Sequence, residues 1–133
     1  MANAIYPKYK EALLNGSANT NMSSGTVKVA LVDTGTYTYS ATHEFLSSLT
    51  GRVGTDATRG TKTFTNGTFD AANSTYTAVS GATVEALVVY IDTGVAGTSR
   101  LIAYIDTGVT GLPVTPNVGD INITWDAAGI FTL

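Results

Sequence analysis

The sequence predicts an all-β fold, an antiparallel β-sandwich of the jelly-roll type with one or two short helices. About eight or nine short runs are alternating or continuously apolar, as β-strands are. Turn signals separate these runs, and no long helical pattern lies between successive strands, which favours antiparallel pairing. An incomplete barrel is the second architecture that this pattern permits.

Residues 1–25 are predicted to form an N-terminal extension, and residues 26–133 a single β-sandwich domain. A short helix is expected from Pro7 to Leu14, because proline suits the first turn of a helix and Asn15-Gly16 suits its end. The residues after it are polar and show no periodicity. The extension could therefore pack outside the sandwich.

The first strand is predicted at Thr26–Val32. Val27, Val29 and Leu31 alternate with the other residues of this run, so we expect one buried face. A second short helix is expected from His43 to Leu49, with Ser40 or Thr42 as its N-cap.

Further strands and turns follow. Asn66-Gly67 is a strong hairpin signal between two short alternating runs. The run 83–92 is the strongest strand, and its continuous apolar part predicts burial on both faces. The remaining strands are expected at 74–81, at 99–106, and at Asp120–Trp125 and Ile130–Leu133, the last two joined by a turn.

The composition limits the functions that this chain can have. Only 13% of the 133 residues are charged, against roughly a quarter in a typical soluble domain. A surface made mostly of uncharged polar residues loses little hydration when a partner covers it, which favours a protein that packs against others. The net charge of -3 and the scattered basic residues argue against nucleic-acid binding. The longest apolar run, 86–91, is too short to span a bilayer, so no membrane partner is expected.

The triplet Asp-Thr-Gly occurs three times, beginning at Asp33, Asp92 and Asp106. It follows an apolar run each time, as the catalytic aspartate of a retropepsin-like aspartic protease does. The second and third copies lie fourteen residues apart, in "VVYIDTGVAGTSR" and "LIAYIDTGVTGLP". Asp at the first position of a turn bonds a backbone N–H two residues on, and Gly supplies a positive φ. We therefore expect all three aspartates at strand ends, too distant or too solvated to share a proton.

Other candidate sites have simpler structural explanations. His43 is the only histidine, no Gly-x-Ser-x-Gly elbow is present, and a histidine satisfied by hydrogen bonds on a helix face is expected. Trp125 shares a strand face with Ile121 and Ile123, which places it in the core. A calcium site would need four aspartates to converge, Asp92, Asp106, Asp120 and Asp126. A sugar-stacking platform would need several aromatic rings on one surface, those of Trp125, Tyr37, Tyr39, Tyr76, Tyr90 and Tyr104. We expect no catalytic residue, no metal site and no cofactor.

The order of segments along nearly the whole chain resembles a known family. The segments are "MANAIYPKYKEALLNG", "TVKVALVDT", "YTYSATHEFLSSL", "YTAVSGATVEALVVYIDTG" and "SRLIAYIDTGVTGLPVTPNVGDINITWDAAGIFTL". Together they are similar to small virion structural proteins of tailed bacteriophages, most of all to capsid cement or decoration proteins. The resemblance implies a non-enzymatic protein on the capsid surface of the virion, made in the host cytoplasm. It also implies two partners, the major capsid protein and further copies of the chain in a dimer or trimer.

One part of the chain is a candidate for docking. The segment from Met1 to about Asn21 carries the apolar residues Ile5, Tyr6, Tyr9 and Leu13 beside three charges. These residues either contact the capsid or cover the chain's own core. The β-rich pattern also permits a tail or fibre-associated protein or a carbohydrate-binding module, and fold alone does not separate these alternatives.

Overall fold

A computed structural model describes residues 3–133 and shows a mostly β chain. Every strand pair in it is antiparallel, which confirms the all-β class. The described strands are β1 (Ala4–Ile5), β2 (Thr26–Val32), β3 (Arg52–Thr58), β4 (Thr68–Phe69), β5 (Ser74–Tyr76), β6 (Ala86–Asp92), β7 (Leu101–Ile105), β8 (Ile121–Ile123) and β9 (Phe131–Thr132). One helix, α1 (Pro7–Asn15), and two short 3₁₀ turns (Leu46–Ser48 and Thr65–Gly67) accompany them.

Five strands form the main sheet, in the order β1-β7-β6-β2-β3, and the two ladders β4-β9 and β5-β8 are separate. Strand β6 lies at the centre of the sheet and is buried on both faces, as predicted. The prediction of a single buried face for β2 is wrong, because Ala30 and Val32 are as fully buried as Val29 and Leu31. Both faces of β2 are buried because this strand lies inside the sheet, between β6 and β3, and other segments cover both sides of the sheet.

The register shows what covers each face. Ala103 and Ile105 point to one side of the sheet, and Tyr104 points to the other. The side of Ala103 and Ile105 meets Ile130 and Phe131, which line a cavity with Ile105. On the side of Tyr104, the loop after β2 brings the Tyr37 ring to 6.5 Å from the Tyr104 ring. The sheet is therefore covered by the C-terminal ladders on one face and by this loop on the other.

The N-terminal segment is part of the sheet. Strand β1 pairs with β7, and the backbone N–H of Tyr6 donates to the Ile102 carbonyl at 2.9 Å. The predicted helix is present, with Pro7 in its first turn and Gly16 ending it at φ 62°, a left-handed conformation that favours glycine. Its Tyr9 and Ala12 are buried. The described part of the extension thus packs into the domain, while residues 1 and 2 lie outside the described residues.

The predicted helix at 43–49 is wrong. Only the 3₁₀ turn Leu46–Ser48 forms there, and Phe45 before it is extended and bridges to Arg100. The Leu46 N–H donates to the Ser99 carbonyl at 2.8 Å, and the Leu101 N–H donates to the Glu44 carbonyl at 3.0 Å. These bonds to the start of β7 use backbone groups that a helix would have paired internally.

The turn signals are in place, but the strands beside them have distant partners. Around Asn66-Gly67, Thr63 and Asp70 exchange both backbone hydrogen bonds, at 2.9 and 3.0 Å. The strand after this turn, β4, then pairs with β9 at the end of the chain. The last two strands are joined by a turn, as expected, yet β8 pairs with β5 and β9 pairs with β4. They are also shorter than predicted.

Candidate functional site

The three Asp-Thr-Gly copies end strands, as predicted, and the turn bond of the aspartate is present in the first two. Asp33 follows β2, Asp92 is the last residue of β6, and Asp106 follows β7. The Asp33 carboxylate accepts the Gly35 N–H at 2.8 Å, and the Asp92 carboxylate accepts the Gly94 N–H at 3.0 Å. These are the local bonds, two residues on, that an Asp at the start of a turn makes.

No two of these aspartates are placed as a protease dyad requires. Thr26 pairs with Asp92 at one end of the β2-β6 pair, so Asp33 lies at the other end, roughly 20 Å away at about 3.3 Å per residue. Asp106 lies at the same end as Asp33, but β6 runs between their strands, a spacing of about 10 Å. The Lys28 ammonium beside Asp92 and the Gly94 N–H hold the pKa of that carboxyl below its usual value, so it favours the charged form.

The histidine is satisfied by hydrogen bonds, as predicted, but it lies in a loop. His43 Nδ1 is 2.8 Å from the Tyr37 hydroxyl, which is 2.8 Å from the hydroxyl of Tyr6. Tyr6 is fully buried, and burial raises its pKa far above the usual value, so its phenol stays neutral. These two hydrogen bonds connect the loop after β2 to the N-terminal segment.

Two other carboxylates accept backbone N–H groups. Asp120 accepts the Ala78 N–H at 3.0 Å, and Asp126 accepts the Ala128 N–H at 2.8 Å. Across residues 3–133, no group of three or more His, Cys, Asp or Glu side chains is arranged to hold a metal ion.

The aromatic side chains are mostly internal. Trp125 is 6% exposed, which confirms its core position, and its indole N–H donates to the Ala72 carbonyl at 3.2 Å. Tyr37, Tyr76, Tyr90 and Tyr104 are each at most 3% exposed, and only Tyr39 of the suggested platform is half-buried. Their ring faces are covered by protein.

The four predicted docking residues divide into two pairs. Tyr6 and Tyr9 are buried in the chain's own core, and the Tyr9 hydroxyl donates to the Thr20 carbonyl at 2.8 Å. Ile5 and Leu13 are half-buried at its edge. Contact with a partner through the last two stays a prediction.

Leu13 opens onto an apolar groove of about 430 Å³ between α1, the segment 20–23 and the β4-β9 ladder. Its apolar lining is Tyr9, Leu13, Met22, Phe69 and Phe131, with Phe64 and Leu133 at the rim. Phe64 is 40% exposed and Leu133 is 62% exposed, and no side chain among the described residues that line the groove is charged. A concave apolar surface of this kind suits an apolar partner segment.

Two basic residues hold this groove in shape, and sequence reasoning did not find them. The Lys62 ammonium donates to the carbonyls of Met22 at 2.7 Å and Gly25 at 2.8 Å. The Arg100 guanidinium donates to the Ala18 carbonyl at 2.8 Å and pairs with Glu44 at 2.9 Å. Both fix the linker after α1 to residues far along the chain. Nothing local marks these cations, because their partners lie about forty to eighty residues away.

Comparisons with known proteins place no further limit on the site. The chain matches no protein-family model. No curated protein matches it. Within residues 3–133, the helix is neither long nor apolar enough to cross a membrane.

Proposed function

We propose that this chain is a capsid cement or decoration protein of a tailed bacteriophage, a non-enzymatic virion component on the outside of the major capsid lattice. The observation that carries the proposal is the uncharged apolar groove beside the N-terminal helix, in a chain with only 13% charged residues. Covering this groove with an apolar capsid segment removes hydrocarbon from water and desolvates no charged side chain of the lining.

The order of sequence segments supports the same function, since it resembles small phage virion proteins. The aspartates that could have indicated a protease serve strand ends and turns. We expect stable docking to bury about 800 Å² on each partner, of which the groove is the centre. Repetition over a symmetric lattice then strengthens attachment, because neighbouring contacts act together.

Two finer statements belong to this proposal. We propose that the main sheet and the ladders on its Ala103 side form the two layers of a jelly-roll-like sandwich, which the contact of Ile130 and Phe131 with that face supports. We also propose that the chain docks as a dimer or trimer on local symmetry axes of the shell, as closed symmetric assemblies usually do.

The test is the number of copies in purified particles, measured by gel densitometry against the major capsid protein. A ratio near one supports a cement protein. A handful of copies per particle contradicts it and indicates a tail or fibre-associated protein. Specific retention on a glycan array, with no binding to heads that lack the chain, indicates the carbohydrate-binding alternative.

A point substitution tests the groove itself. Leu133→Asp places a charge at the rim, where the side chain is 62% exposed and only the backbone N–H bonds the fold, to the Gly67 carbonyl at 3.0 Å. We expect it to lower the affinity for undecorated heads at least tenfold, since docking would have to desolvate the carboxylate. Val95→Asp is the matched control, because Val95 is 60% exposed in the loop after β6, away from the groove. Equal binding by both variants would contradict docking through this groove.

A further inference from the structure

A second hollow, of about 420 Å³, lies at the end of the main sheet where β2 and β7 finish and β6 begins. Its lining includes Thr34, Tyr37, Tyr39, Glu85, Tyr104 and Asp106. It is separate from the apolar groove, with which it shares no lining residue. The proposed function does not use this hollow.

Two polar groups of this hollow have unused bonding capacity. The half-buried Glu85 carboxylate accepts the Thr34 N–H at 3.0 Å and enters no ion pair within residues 3–133. Tyr104 is only 3% exposed, yet its hydroxyl has no hydrogen-bond partner in the described part of the chain. The hydroxyl oxygen is not among the buried polar atoms that lack a partner, so solvent reaches it and it can accept a bond from a ligand in the hollow.

The field in the hollow is negative. Burial raises the pKa of Tyr104, and the charges of Asp106 and Glu85 raise it further, which places both carboxylates near the phenol. None of the described lining residues is a lysine, an arginine or a histidine. An anionic ligand is therefore disfavoured, and a cation gains from the Glu85 carboxylate.

The aromatic rings favour a small cation over a stacked sugar. The Tyr39 ring lies 5.5 Å from Tyr104 and 5.0 Å from Tyr6, and the Tyr37 ring lies 6.5 Å from Tyr104. These three ring pairs are tilted, at 56°, 42° and 37°, so the rings form no flat platform on which a sugar could stack. A group that carries several N–H donors and a positive charge meets both needs, since Glu85 and the Tyr104 oxygen are acceptors.

We propose that this hollow binds the guanidinium or ammonium group of a basic side chain on the partner protein. The identity of that partner as the capsid rests on the proposed function, while the hollow and its ligand chemistry do not. The basic side chain donates to the Glu85 carboxylate and to the Tyr104 hydroxyl oxygen. The groove then supplies apolar area, and the hollow fixes the orientation of the docked chain.

The test uses the full chain and small probes followed by two-dimensional amide NMR. We expect N-acetyl-arginine amide to shift the amide signals of Thr34 and Glu85 saturably, with a Kd on the order of 1–10 mM. N-acetyl-lysine amide behaves in the same way if an ammonium suffices, and N-acetyl-citrulline amide, the neutral isostere of arginine, leaves these signals in place.

Variants make the test specific. Glu85→Gln keeps an oxygen for the Thr34 N–H and removes the charge. We expect it to lower the affinity for the arginine probe about tenfold or more. Tyr104→Phe lowers the affinity for the arginine probe by a smaller factor. Glu11→Gln, which removes the same charge from the exposed ion pair with Lys8 on α1, leaves the affinity unchanged. Near-ultraviolet circular dichroism establishes that each variant is folded.

Three results would overturn the inference: no saturable shift with either basic probe, equal shifts with citrulline, or an unchanged affinity in Glu85→Gln. The proposed function stands or fails separately. A chain that coats heads but binds no basic probe leaves the cement function intact and refutes this hollow. A chain that binds the probe but never coats heads refutes the cement function and keeps the hollow.

Discussion

Replacing Lys62 with methionine removes the cation that holds the linker after α1 and keeps most of the aliphatic stem. The ammonium donates to the carbonyls of Met22 at 2.7 Å, Gly25 at 2.8 Å and Ser23 at 3.3 Å. The bonds to Met22 and Gly25 are part-buried, and the weaker bond to Ser23 is exposed. The substitution therefore leaves two carbonyls that water reaches only partly.

A hydrogen bond to a charged group contributes about 1.5–3 kcal/mol, and partial hydration of the freed carbonyls offsets some of that loss. We expect Lys62→Met to lower the free energy of unfolding by about 1–3 kcal/mol. At about 4 °C per kcal/mol for a chain of this size, the Tm falls by roughly 4–12 °C. Because Met22 and Ser23 line the apolar groove, binding to undecorated heads should weaken as well.

Urea unfolding followed by fluorescence measures the change, with an m-value that stays the same if only stability is altered. Lys10→Met is the matched control, because Lys10 is exposed on α1 and makes no such bonds to carbonyls. If the two variants unfold at the same urea concentration, Lys62 does not hold the linker. The assignment of the groove wall would then be refuted.

Three further substitutions test the fold that presents these surfaces. Gly51→Ala should lower the free energy of unfolding by about 1–3 kcal/mol, because φ is +66° and the new Cβ would lie 2.8 Å from the Asp33 carbonyl oxygen. Gly60→Ala is the control: no atom lies within 4 Å of the new Cβ, so it should have little effect in the same thermal scan. Tyr76→Phe should cost about 1 kcal/mol in urea unfolding, because its buried hydroxyl donates to the Val29 carbonyl at 3.1 Å, and no loss would contradict the contact of β5 with the main sheet. Asp92→Asn should lower stability at pH 7 by less than about 1 kcal/mol, because it removes the partly exposed ion pair with Lys28. The pKa of Asp92 is lowered, so the pair stabilises the fold above about pH 4 and is lost as the pH falls through the lowered pKa; a difference from wild type that persists at pH 2 would refute that role.

The elements predicted correctly are those whose signals are local. Pro7 and Gly16 mark the ends of α1 through backbone conformation alone. The continuous apolar run of β6 indicated burial on both faces, and the Asp-Thr-Gly copies at Asp33 and Asp92 each form a turn bond within three residues. The core position of Trp125 followed from alternation along one strand.

The candidate site was predicted only in part. The apolar residues of the N-terminal segment were identified, but alternation along the chain does not distinguish a side chain that covers its own core from one that faces a partner. Tyr6 and Tyr9 are in the core because β1 pairs with β7 and turns them inward. The groove and the negative hollow combine residues from distant segments, such as Leu13 with Phe131 and Thr34 with Glu85. No spacing in the sequence marks such pairs.

The sequence by itself determined the β class, the strand ends and the turns, because these depend on side-chain periodicity and on φ preferences within a few residues. The tertiary structure alone decided which strands pair and which faces are covered. It turned the segment around Phe45 from a possible helix into a partner of β7, and it joined β4 to β9. The physical reason is that each backbone N–H has several possible acceptors, and the choice among them depends on which distant segments the burial of apolar surface brings together.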